Sequence, residues 1–134
     1  MSDFVAYVDG GSHGNPGPSG IGVVISGPDG SKIRIAKGIG RQDNNVAEYV
    51  ALLEAIHCAI ALQAKALHVY SDSQVVVRQM TGQYCCRSPR LYSLNWICKK
   101  LVRSLRFSIS HVTREENREA NRLANHAVRQ QAAA

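Results

Sequence analysis

Residues 4–20 read FVAYVDGGSHGNPGPSG, and this run decides the architecture. Phe4 to Val8 are apolar without the polar alternation of a one-sided surface strand, so the pattern predicts a central β-strand over Phe4–Gly10. The strand closes on a carboxylate, Asp9, and passes into a Gly/Pro/Ser-rich loop over residues 10–20. Residues 20–27 (GIGVVISG) predict a second strand, Pro28-Asp29-Gly30 a turn, and residues 31–40 a third strand. Strands joined by so short a turn are antiparallel. The loop leads into a strand and lacks the GxxxxGK[ST] pattern, so it is not a nucleotide phosphate loop.

Further along, Val46, Tyr49, Val50, Leu53, Ile56 and Ile60 recur at helical spacing, predicting a helix over 45–64. A strand over 66–71, a short helix over 73–80, a helix from Leu91 to Leu105, a strand over 106–112 and a helix over 116–129 complete the order βββαβααβα. A hairpin meander followed by crossovers gives an α/β fold. Its five-stranded mixed sheet has three antiparallel strands, then parallel strands, with helices on both faces. If strands one and four pair in parallel, Asp9 and Asp72 both sit at carboxyl ends, where ligands of open sheets bind. Glu48 falls in the first turn of the long helix. Each has an ordinary alternative: Asp9 opening a turn, Asp72 capping a helix, and Glu48 in a capping box with Asn45. Together they form a set of hard oxygen ligands suited to Mg²⁺ or Mn²⁺.

The chain has 134 residues, 45% of them hydrophobic and 19% charged, which excludes disordered and collagen-like classes and suits a single domain over 1–130 with a frayed tail at 131–134. The net charge of +6 is compatible with a polyanion partner and equally with simple solubility. No positively charged segment precedes an apolar stretch, and no run approaches a membrane span. Cys58, Cys85, Cys86 and Cys98 show no CxxC or zinc spacing. Cys58 and Cys98 fall among apolar helix residues, as packing groups would. These features predict a reduced, cytoplasmic chain, and the compact start at Met1 favours a stand-alone protein.

The segments DGG···NPG, NN·AE and SDSQ, in this order, resemble type 1 ribonuclease H over almost the whole chain. The resemblance implies hydrolysis of the RNA strand of an RNA–DNA hybrid by two divalent ions, Mg²⁺ or Mn²⁺, leaving 5′-phosphate and 3′-hydroxyl ends. Asp9 would bridge the ions, with Glu48 and Asp72 completing their coordination. It implies no organic cofactor and no membrane partner, and a monomer is expected because no coiled-coil or apolar edge signal appears. The family's fourth carboxylate falls at Asn121, within Glu119-Ala-Asn-Arg-Leu-Ala124. An amide oxygen can ligate a hard cation but brings no charge, so one metal should bind more weakly. His111, at the end of the last strand, matches a histidine that assists proton transfer or product release.

The 2′-hydroxyl distinguishes RNA from DNA. The resemblance assigns its recognition to Asn15, Asn44, Asn45 and Gln74, with backbone amides near Gly11 and Ser12. Amides both donate and accept, as a hydroxyl does. Arg41 matches a contact to a DNA-strand phosphate, beside Asp43 where threonine is usual, and a carboxylate there would weaken the pocket. The basic, Trp-rich protrusion of many bacterial members is absent, since only residues 83–89 join the two helices. Lys99, Lys100, Arg103 and Arg106, preceded by Arg87 and Arg90, form a basic stretch read chiefly as a solvated face, and Trp96 is read as core. A second reading is a hybrid- or double-stranded-RNA-binding module with weak or no catalysis, favoured by Asn121 and Asp43. A third is a resolvase- or transposase-type nuclease, against which the Asn/Gln set argues.

Overall fold

A computed structural model describes residues 3–134, so the first two residues of the expected domain lie outside the described residues. The elements are β1 (Asp3–Ser12), β2 (Gly17–Ser26), β3 (Lys32–Gln42), α1 (Asn44–Ala61), β4 (Ala66–Ser71), α2 (Gln74–Met80), α3 (Pro89–Leu101), β5 (Arg106–His111) and α4 (Arg118–Ala133). Short 3-10 turns occupy Val102–Ser104 and Glu115–Asn117. The sheet order is β3-β2-β1-β4-β5. β2 runs antiparallel to β1 and β3, while β4 runs parallel to β1 and β5. This is the mixed sheet the sequence predicts, with β1 at its centre.

Alternation along β1 sends its residues to two layers. Ala6 and Val8 are fully buried and pair with Ile25 and Val23 on one face. That face packs against Leu52, Ala55, Ile56 and Ala59 of α1. Burying a Leu or Ile of this kind contributes about 1.5–3 kcal/mol. On the other face α4 lays Ala120, Ala124 and Ala127 against the sheet, with Asn121 the one larger buried residue, so its backbone approaches the sheet closely. A Cβ at Gly22 of β2 would lie 2.2 Å from the Ala120 carbonyl oxygen, and only glycine permits that approach.

Several element ends differ from the sequence reading, each for a local reason. β2 starts at Gly17 because Gly17 and Pro18 pair with Gln42 and Arg41 of β3. α1 starts at Asn44 because Asp43 caps it, accepting from the Val46 N–H at 2.9 Å; Asn45 is not the cap. Asp72 caps nothing either: Ser73 caps α2 through Val76 N–H at 3.3 Å. α3 yields to a 3-10 turn after Leu101. α4 continues to Ala133, through the expected tail, since the Gln131 carboxamide accepts from Gly40 N–H of β3 at 3.2 Å and alanine favours the helix.

Trp96 is corrected from core to surface, with 54% of its area exposed. Leu91, Leu94, Cys98 and Leu101 make the inward stripe of α3, and Trp96 lies off that stripe under the Lys100 ammonium. Cys98 is buried and Cys58 half-buried, as packing groups. No helix among the described residues is long and apolar enough to cross a membrane.

Candidate active site

Two glycine contacts bring three elements to the end of β1. A Cβ at Gly10 would lie 2.3 Å from the Ala47 backbone and 2.6 Å from Glu48 N, so glycine there lets α1 press onto the strand. The same approach lets Glu48 Oε1 accept from Gly10 N–H at 2.8 Å. Glu48 is therefore tied to the sheet and does not close a capping box. Asp9 pairs with Gly22, the residue over which α4 lies. Asp72 follows β4, parallel to β1 at its side.

Asp9, Glu48 and Asp72 each offer a carboxylate oxygen within 4.8 Å of the others. Asp9 is buried, and Glu48 and Asp72 are half-buried. Burial and then the charge of Asp72 push the Asp9 carboxyl up to about 7, while Arg114 acts in the opposite direction. Burial and the charges of Asp9 and Asp72 raise Glu48 well above the usual carboxylate range. Such a cluster is unfavourable when ionised unless a counter-cation is present. Asp72 Oδ2 is buried with no hydrogen-bond partner. A hard divalent cation fits this donor set: it takes carboxylate oxygens, and it satisfies both the excess charge and the orphaned oxygen.

Asn121 is buried on the first turns of α4, next to Ala120. Its Nδ2 donates to the Arg114 carbonyl at 3.1 Å, which turns Oδ1 away from that carbonyl, and Oδ1 has no partner. The sequence reading missed Asn117, which is 1% exposed and donates from Nδ2 to the Val8 carbonyl at 2.8 Å. It ties the start of α4 to the residue before Asp9. Its only sequence signal is a position one helical turn before Asn121.

The expected substrate-contact residues fall into two groups. Ser12 N and Oγ both donate to Asn44 Oδ1, at 3.0 and 2.9 Å, and Asn44 N donates to Asn15 Oδ1 at 2.9 Å. Both amide oxygens are thereby engaged inward, and the exposed Asn15 and Asn44 keep their NH₂ groups for a ligand. Gly11 precedes this group on β1, and Asn45 is half-buried in the first turn of α1. Gln74 and His111 form the second group, lining a small pocket with Gln83 and Arg78. His111 is exposed at the end of β5.

Arg41 lines an open groove of about 490 Å³ with Asn15, Asp43 and Arg90. The sequence expectation that Asp43 weakens this pocket is altered by Arg90, whose Nε donates to Asp43 Oδ2 at 2.6 Å. Burial opposes ionisation of Asp43, but the Val46 N–H and Arg90 outweigh it and hold the carboxyl below its usual range. With Asp43 neutralised by Arg90, the Arg41 charge remains for an anion.

A family model described as reverse transcriptase-like matches residues 7–127. The chain is 38% identical over 125 residues to Ribonuclease HI of Halobacterium salinarum, covering 92% of this chain and 63% of that protein. The fold superposes on the N-terminal RNase H domain of Rv2228c from Mycobacterium tuberculosis with a TM-score of 0.92 and 38% identity, covering 99% and 98% of the two chains. The chain spans 35% of the full-length bifunctional protein Rv2228c. LC11-RNase H1, solved in complex with an RNA/DNA hybrid, superposes with a TM-score of 0.86 and 33% identity, covering 95% of this chain and 97% of that one.

Proposed function

We propose that this chain, which belongs to the type 1 ribonuclease H family, is an endonuclease that hydrolyses the RNA strand of RNA–DNA hybrids. The observation that carries the reading is the buried Asp9–Glu48–Asp72 cluster at the end of the central strand, with its orphaned Asp72 oxygen. Asp9, Glu48 and Asp72 would hold two divalent ions, Mg²⁺ or Mn²⁺, with Asn121 Oδ1 as a neutral fourth ligand. When bound, the ions supply Lewis-acid stabilisation of the charge that develops as a phosphodiester is hydrolysed.

The chain's own groups would do the rest. The NH₂ groups of Asn15 and Asn44, the Gln74 amide, Asn45 and the Gly11–Ser12 backbone orient the strand by its 2′-hydroxyls. Arg41 holds a phosphate of the DNA strand. His111 moves a proton at the edge of the site, a role suited to imidazole. Water adds across the P–O3′ bond: its oxygen goes to phosphorus and a proton goes to the 3′-oxygen, leaving 5′-phosphate and 3′-hydroxyl ends. The reading includes a single domain acting as a monomer in the cytoplasm. The neutral Asn121 favours a second reading, a hybrid-binding module with weak catalysis.

The test compares one sequence as RNA–DNA hybrid, DNA duplex and double-stranded RNA, with product ends mapped. Cleavage confined to the RNA strand of the hybrid, yielding 5′-phosphate ends, is expected. Binding of the hybrid with no cleavage at any metal concentration selects the binding module instead.

A further inference from the structure

α4 carries a stripe of arginines that the carboxylate site does not use. Arg118, Arg122 and Arg129 are exposed and line one open groove of about 440 Å³ on this helix. Arg114 stands at its head and Asn125 between the arginines. The three ion pairs among the described residues take Arg34, Arg90 and Arg106, so none of these four guanidinia has a carboxylate partner. Glu115 is on the groove's rim, and Glu119, near Arg122, is engaged by Arg34. The groove thus keeps a surplus of positive charge even after its acids are counted.

The stripe joins the catalytic cluster at two points. Arg114 is close enough to Asp9 to lower its carboxyl. Asn121, more than nine-tenths buried with an unpartnered Oδ1, lines the same groove. From Arg118 to Arg129 the helix rises about 16 Å, the length of several successive phosphates. A row of unpaired guanidinia at this spacing matches a polyanionic backbone, since guanidinium pairs bidentately with phosphate.

We propose that the Arg118–Arg122–Arg129 face of α4 binds the sugar-phosphate backbone of the RNA strand as that strand continues from the carboxylate cluster. The proposal rests on the nuclease reading for the identity of the strand. Because the contacts are to phosphates, they add affinity and fix the register of the strand without reading sequence.

Binding is measured in the Asp9→Asn background, so that cleavage does not intervene, by titrating an RNA–DNA hybrid across a salt series. The triple variant Arg118→Ala/Arg122→Ala/Arg129→Ala is compared with Lys99→Ala/Lys100→Ala/Arg103→Ala, which removes equal charge from the end of α3 and the 3-10 turn after it. Each lost phosphate contact flattens the log Kd against log salt slope by about 0.9. The α4 triple is expected to flatten it by about 2 or more, and beyond the α3 triple. Equal slopes in the two triples overturn the proposal.

Methylphosphonate linkages in the RNA strand should remove the difference between wild-type and triple-variant faces, while those in the DNA strand leave it. The reverse pattern overturns the strand assignment. If protein with native Asp9 fails to cut the hybrid yet the α4 slope effect persists, the nuclease reading fails and the phosphate-binding face stands.

Discussion

Asn121 exchanges a charge for a hydrogen bond. Its NH₂ group holds the Arg114 carbonyl, a contact that a carboxylate cannot make, and its free oxygen remains available to a cation. Asn121→Asp would set a carboxylate against that carbonyl and add a charge to a cluster whose carboxyls are already pushed up. The variant should lose about 1–3 kcal/mol of metal-free stability. It should also reach half-maximal cleavage at several-fold lower Mg²⁺ concentration. Denaturant unfolding in chelator and a metal titration of cleavage check the two halves, and unchanged metal dependence removes Asn121 from the ligand set. The convergence of Asp9, Glu48 and Asp72 was legible because each sits in a short motif at an element end. Asn117 and Arg90 were not, because their partners, the Val8 carbonyl and Asp43, are distant in sequence and reached only by folding.

The order of elements was readable because short apolar runs bounded by turn residues mark the strands and apolar residues at helical spacing mark the helices. Their ends were not, because capping is decided by single side chains. Asp43, rather than Asn45, takes the Val46 N–H, and Gln131 holds α4 in helix beyond its last apolar contact. Trp96 misled because α3 is apolar over more of its surface than it buries. What positions the site is the approach of α1 to β1 at Gly10 and of α4 to β2 at Gly22, the partner of Asp9. Gly22→Ala would drive a methyl group into the Ala120 carbonyl and the Ala124 amide and force α4 outward. Overpacking of this kind costs about 1–3 kcal/mol. Activity should fall more steeply than stability, because α4 carries Asn121 and is tied through Asn117 to the strand bearing Asp9. Cleavage rates measured well below the unfolding midpoint check this, and full activity in a folded variant would show that α4 need not lie so close.

For the molecule as a whole, the acidic cluster couples stability to pH. The folded-state values of Asp9 and Glu48 are raised above those of the unfolded chain, so the folded state holds more protons between about pH 4 and 7. Stability is therefore fully present below about pH 4 as far as these groups are concerned, and is lost as pH rises through about 7. Chelated protein should show a falling unfolding midpoint over that window, with Mg²⁺ restoring it at pH 8. Asp9→Asn should flatten both responses, as thermal scans with and without metal would record.

The most direct measurement is cleavage of an end-labelled RNA–DNA hybrid across a Mg²⁺ titration, with wild type beside Asp9→Asn. RNA-strand cleavage that rises with Mg²⁺ and falls about a hundredfold or more in the variant is expected, on the scale of removing a principal electrostatic group from an active site. Cleavage that persists in chelator, or survives Asp9→Asn unchanged, would contradict the assignment of chemistry to this carboxylate cluster.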